Sequence, residues 1–184
     1  MQLLETAIAA VPILVLAKLG GLDLASLYVR MRPVGRWLIF AILAFVVVYA
    51  FIATIPLRPG SPIQQLLPVD ANFTVERVLV LTPALLVMAI SNGFQEELLF
   101  RGLFLQRYTF FFGAVLANVL QATVFTFAHL DVAYTPMLFL VAIVSPLGLL
   151  AGFVMRASNS VFVPAILHGG LDILIYLGFL ASVV

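Results

Sequence analysis

The residues of this chain that could do chemistry are few and grouped. Glu96-Glu97-Leu98-Leu99-Phe100-Arg101 sets two carboxylates side by side, with an arginine one helical turn beyond the second. Glu97 and Arg101, at i and i+4 with the acid N-terminal, can neutralise each other on a helix. Glu96 is rotated by about 100° from Glu97 and lacks that local partner, which makes it the freer carboxylate. Further on, Asn118, Gln121, Phe125 and His129 recur at spacings of three, four and four, one stripe along one helical face. His168 and Asp172 again stand at i and i+4, inside the apolar run Val161 to Leu180. The chain has two histidines, and both fall in these groups. Carboxylates and imidazoles gathered in this way are the parts for activating water, either as a general base with hydrogen-bonding assistants or as ligands of a metal ion.

Each group also has a plainer reading. The acids and Arg101 could mark the end of the hydrocarbon, with the arginine snorkelling to the interface. Asn118 and Gln121 can serve as polar glue between helices, Phe125 as packing, and His129 as a structural helix-end histidine. His168 and Asp172 could be an interhelical hydrogen bond. An ionisable group at a helix centre costs about 2.5 to 3.5 kcal/mol on insertion scales, however, so each one kept there demands a reason.

The elements that must position these groups are apolar helices. Of 184 residues, 64% are hydrophobic and 9% charged, and the mean hydropathy is +1.22, well outside the soluble globular range. A spanning helix needs about 20 apolar residues. Runs broken by charged or Pro/Gly-rich stretches predict six spans, roughly Thr6 to Leu19, Trp37 to Pro56, Val78 to Gln95, Phe111 to His129, Pro136 to Met155 and Val161 to Leu180. The reading is all-α: one polytopic membrane bundle over residues 1–184, multi-pass, in the cell membrane if the source is prokaryotic. The third helix meets no breaker until about Phe110 to Gly113, which suits a hairpin pivot at Phe112-Gly113. Ser158-Asn159-Ser160 offers N-caps for the last helix, with Pro164 near its first turn. The longest loop runs from Leu57 to Val75. The N-terminus lacks a basic leader region and reads as a retained helix.

Of nine basic residues, Lys18, Arg30, Arg32, Arg36, Arg101, Arg107 and Arg156 fall in loops on one side and only Arg58 and Arg77 on the other. The first side is therefore cytoplasmic and both termini lie outside. A net charge of +1 offers no basic surface for nucleic acid. The absence of cysteine excludes a thiolate nucleophile and Cys-ligated metal. His129 is followed by Leu130 and Asp131, so there is no H-E-x-x-H zinc helix. The G-x-G-D of intramembrane aspartyl proteases and a rhomboid-like G-x-S-G are absent as well.

Taken in order, E-E-x-x-x-R (Glu96-Glu97 to Arg101), F-x-x-x-H (Phe125 to His129) and H-x-x-x-N/D (His168 to Asp172) resemble the motifs of the CAAX protease and bacteriocin-processing family, which includes the type II CAAX prenyl endopeptidases. The resemblance covers Val78 to Leu180 as a catalytic core and leaves two additional helices in residues 1–56. It implies an intramembrane protease in which Glu96 activates water, Glu97 and Arg101 position the site, and His129 and His168 hold the water or stabilise the oxyanion. The third motif carries Asp172 where the prenyl endopeptidases usually carry Asn.

An ionised Asp cannot donate to an oxyanion, so Asp172 must be protonated, orient His168, or bind a metal with His129 and His168. Zinc held by those three residues is one expectation, and a metal-free glutamate mechanism is the other. The expected partners are a peptide or protein substrate and the lipid bilayer. The competing readings are a non-catalytic membrane interaction or bacteriocin-immunity protein, and a small transporter with a proton relay, for which no internal repeat speaks.

Overall fold

The computed structural model describes residues 2–21, 23–29, 35–54, 74–130 and 140–183, and among these it is all helical. Each predicted apolar run corresponds to a helix: α1 (Gln2–Leu19), α2 (Gly35–Thr54), α3 (Val75–Glu97), α4 (Gln106–Ala128), α5 (Ser145–Ser158) and α6 (Phe162–Val183). Three short elements join them without a sequence expectation: a 3₁₀ turn at Leu24–Leu27, a π-helical stretch at Leu98–Leu105 between α3 and α4, and a π turn at Leu140–Val144 leading into α5. Most of the predicted loop Leu57 to Val75, with Arg30, Arg32, Arg58 and the start of the fifth run at Pro136, lies outside the described residues.

Local chemistry sets the ends. Thr74 caps α3 by accepting from the Arg77 amide at 3.2 Å, with Glu76 in the first turn where the helix dipole favours an anion. Asn159 closes α5 in the left-handed region (φ 54°, ψ 34°). One residue later the Ser160 hydroxyl accepts from the Phe162 amide at 3.3 Å and opens α6, so one of the expected caps is in use. The Val161 amide reaches back to the Tyr28 carbonyl at 2.9 Å, tying this junction to the 3₁₀ turn.

The decisive bend is at Gly113. From Glu96 to His129 a straight helix would rise about 50 Å at 1.5 Å per residue, yet the two side chains stand 3.7 Å apart. The chain therefore reverses in between. Gly113, at φ 76° and ψ 173°, is the one non-helical residue inside α4, in a backbone region open essentially to glycine alone. The arms on either side are each about 25 Å long, which brings the end of α4 level with the end of α3. Arg156 from α5 braces the bend, donating to the Ala114 carbonyl and, at 2.8 Å, to the Thr109 hydroxyl.

Around this hairpin α3 packs most extensively on α6, α2 on the same helix, and α5 on α4. Ala89 and Ile173 meet Phe45 of α2 in one cluster, Leu85 and Leu177 continue the α3–α6 seam, and Ala10 and Ala17 of α1 pack against Leu98, Met155 and Val161. The outward faces are apolar too: Ile8 and Leu16 on α1, Phe40 and Val47 on α2, Val80 on α3, and Phe110 and Val115 beside the bend are all well exposed. A surface so apolar suits lipid rather than water. The helical run Glu76–Ala128 is long and apolar enough to cross a membrane, and Gly35–Val47 and Phe162–Ile173 are shorter apolar helical stretches.

Candidate active site

Two glycines let α3 and α6 touch. A Cβ on Gly169 would lie 2.8 Å from the Ala89 carbonyl oxygen, and one on Gly93 would run into the Ala165 carbonyl. With neither present the backbones meet, as small residues allow in membrane helices. The side chains next to this contact are thereby set face to face, Asn92, Glu96 and Glu97 from α3 opposite His168 and Asp172 from α6. The hairpin adds His129 at the end of α4. The structure brings together all six residues singled out from the sequence: Glu96, Glu97, Arg101, His129, His168 and Asp172.

Glu96 is at the centre. Its Oε2 lies 3.7 Å from His129 Nε2 and 3.6 Å from His168 Nε2, slightly too far for direct hydrogen bonds. That oxygen is buried and accepts no hydrogen bond among the described residues. The other imidazole nitrogens are committed. His129 Nδ1 faces the Phe125 carbonyl at 2.8 Å; a carbonyl only accepts, so Nδ1 carries the proton. His168 Nδ1 lies 2.8 Å from Glu97 Oε1, where a carboxylate again requires the donor on the ring. Both rings thus turn Nε2 toward Glu96. The Glu96 and His129 side chains keep 21% and 23% of their surface exposed, although the Oε2 atom on which the imidazoles converge is itself buried.

Glu97 and Arg101 form the buried support, with side chains 0% and 1% exposed. Arg101 lies in the π-helical stretch, whose wider turn re-aims the residues after Glu97. Its Nη1 approaches Glu97 Oε1 at 2.9 Å, off the line of its N–H bonds, so the contact is ionic rather than an aligned hydrogen bond. Nη2 donates to the Gly148 carbonyl at 3.3 Å, and the guanidinium sits 4.2 Å over the Phe125 ring. The same ring lies 4.4 Å from His129 and edge-on, at 5.7 Å, to His168. Phe125 packs, as its position in the stripe suggested, and what it packs is the site. Gln121 donates to the Gly148 carbonyl at 2.9 Å and Asn118 to the Leu149 carbonyl at 3.0 Å, the polar glue expected of them.

Asp172 presents Oδ1 to His168 Nε2 at 3.6 Å, and its Oδ2 accepts from Asn92 Nδ2 at 3.0 Å. The same Nδ2 donates to Glu96 Oε1, also at 3.0 Å. Sequence reasoning did not single out Asn92. The available signal was its place four residues before Glu96, on the same face of an apolar helix. Zinc held by His129, His168 and Asp172 is one expectation from the sequence; among the described residues no group of three His, Asp or Glu side chains is disposed to hold a metal ion. The rings have their Nδ1 atoms engaged, and Glu96 rather than Asp172 faces both Nε2 atoms.

A family model described as type II CAAX prenyl endopeptidase Rce1-like matches residues 78–174, more than half of the chain. The match runs from the start of α3 to just beyond Asp172 and includes all three motifs. No curated protein and no solved structure matches the chain.

Proposed function

The chain belongs to the Rce1-like type II CAAX prenyl endopeptidase family, and we propose that it is a multi-pass intramembrane endopeptidase that hydrolyses a peptide bond with water activated by Glu96. One observation carries the reading: the unengaged oxygen of Glu96 converges with the unengaged nitrogens of His129 and His168, while every other polar atom of these three side chains that would compete for the same space is tied elsewhere. At 3.6 to 3.7 Å these atoms are beyond direct hydrogen-bond length, which leaves each of them to act on a third partner such as water.

In the reaction a water oxygen attacks the scissile carbonyl carbon as Glu96 Oε2 takes its proton. The carbonyl oxygen becomes an oxyanion. An Nε2 accepts from water when its ring is neutral and donates to the oxyanion when the ring is protonated, so the imidazoles can serve both ends of the step. Glu96 then passes its proton to the leaving nitrogen as the C–N bond breaks, yielding a carboxylic acid and an amine. General base work contributes about 10² to 10⁴-fold and oxyanion stabilisation about 10² to 10³-fold. Asp172, with Oδ1 across from His168 Nε2, helps orient that ring.

Arg101 is buried in a helical stretch and not in a loop, but the remaining basic residues still fall mostly on one side of the predicted spans and support a cytoplasmic site of cleavage. An apolar cavity of about 510 Å³ between α1, α3 and α6, lined by Leu3, Thr6, Ser91, Phe94 and Ile166 among others, supports a part for α1 in substrate access from the lipid side. The test is purification in detergent and cleavage of a broad peptide library by wild type and Glu96→Gln. Cleavage by the first and none by the second is expected. Equal behaviour of two well-folded proteins would instead favour the membrane interaction protein, in which the polar cluster serves only packing.

A further inference from the structure

Asn92 lies outside the three motifs, yet its amide hydrogen-bonds both the α3 carboxylate Glu96 and the α6 carboxylate Asp172. Its Nδ2 carries two hydrogens, and it has two acceptors at equal range, Glu96 Oε1 and Asp172 Oδ2, each at 3.0 Å. Both neighbours are acceptors, which fixes the amide with its nitrogen toward them. The consequence falls on the opposite oxygens. With Oε1 held, Glu96 has its second oxygen turned to the two imidazoles; with Oδ2 held, Asp172 has Oδ1 turned to His168. A carboxylate on a flexible side chain could otherwise rotate and offer either oxygen.

We propose that Asn92 is a positioning residue of this reaction: its amide selects which oxygen of Glu96 works as the base and keeps that carboxylate in register with Asp172 across the α3–α6 contact. This rests on the reading of Glu96 as the base. Placement errors near 1 Å cost about 10²-fold in rate, so Asn92→Leu lowers kcat by one to two orders of magnitude while KM stays within about twofold. Asn92→Ser, a smaller side chain with a single hydroxyl hydrogen, can serve only one carboxylate and is intermediate.

A merely structural role predicts otherwise, and an exchange separates the two. In Asn92→Asp/Asp172→Asn an amide–carboxylate bond can still join α3 to α6, but Glu96 now faces a carboxylate in place of its donor. The expected result is an unfolding midpoint restored relative to Asn92→Asp alone, with kcat still below that of Asp172→Asn alone. A kcat in the exchange equal to that of Asp172→Asn alone, or wild-type kcat in Asn92→Leu, overturns the proposal. Glu96→Gln is run beside them. If it is inactive while Asn92→Leu is fully active, only the role of Asn92 falls; if Glu96→Gln itself cleaves at the wild-type rate, the glutamate base falls and this proposal with it.

Discussion

Glu97→Gln should damage stability and catalysis together, and a second substitution should pull the two apart. Glu97 is wholly buried and its Oε1 serves both Arg101, at 2.9 Å, and His168, at 2.8 Å. Removing its charge leaves Arg101, 1% exposed, as an uncompensated buried cation. Breaking one partner of a buried pair costs about 3 to 5 kcal/mol. The Gly148 carbonyl and the Phe125 ring contact Arg101 in both proteins and so do not offset the loss. The amide oxygen of the introduced glutamine could accept from one of the two former partners but carries no charge, so His168 also loses the group that fixes its ring. Cleavage should fall by about 10²-fold. Adding Arg101→Met removes the stranded cation and should recover at least about 2 kcal/mol, since apolar replacement of a whole buried pair is often neutral. Cleavage should not recover. Denaturant unfolding in detergent and the peptide assay read the two effects on the same preparations. A Glu97→Gln protein within about 1 kcal/mol of wild type, or a double variant with wild-type cleavage, would contradict this account of the buried pair.

Other expectations concern the scaffold and the reaction. Gly169→Ala sets a Cβ 2.8 Å from the Ala89 carbonyl, so α3 and α6 must part; a loss of about 1 to 3 kcal/mol and about 10²-fold in kcat should follow, and an unaffected variant would remove the glycine contact from the account. Gly113→Ala meets no neighbour within 4 Å, so its cost of about 1 to 3 kcal/mol is backbone strain alone, measurable as a lower unfolding midpoint. In this cysteine-free chain, Thr74→Cys should react with an impermeant thiol reagent in sealed cells and Asn159→Cys should not; the reverse pattern would invert the orientation. Under the glutamate mechanism cleavage should persist after exhaustive chelation, with metal content measured on the same sample, and a loss restored by zinc would instead support the ligand set His129, His168 and Asp172.

Much of the site could be read before the structure because its parts are spaced for helices. Glu97 and Arg101, or His168 and Asp172, share a face by position alone, and the stripe from Asn118 to His129 points one way along its length. The break near Gly113 was legible as the first breaker after a long run without one. Helix-level reasoning could not reach what depends on contact between distant segments. The i, i+4 geometry made Glu97 look occupied by Arg101, whereas the buried carboxylate also holds His168 from α6. A lone Asn92 reads as ordinary glue until two carboxylates are found on one nitrogen. How His129 and His168 come to one depth was also hidden. It depends on the helix continuing beyond Glu96 as far as Gly113 before it turns back, and on the π-helical stretch within that arm, which periodicity does not announce. The burial of Leu27 in a 3₁₀ turn likewise follows from the chain it packs against.

The close seam of α3 and α6 also bears on how the protein is made. Glu97 and Arg101 lie within one helical turn of each other, so α3 and the π-helical stretch can enter the bilayer with that pair already neutralised. His168 and Asp172 are synthesised some seventy residues later. Until α6 is inserted and its Gly169 settles against Ala89, His168 and Asp172 are absent from the site, and Glu96 has no second imidazole. A chain in which α6 has not yet inserted therefore lacks two of the six site residues. The proposed hydrolytic site is completed only when α6 joins α3, however early the first motif enters the bilayer.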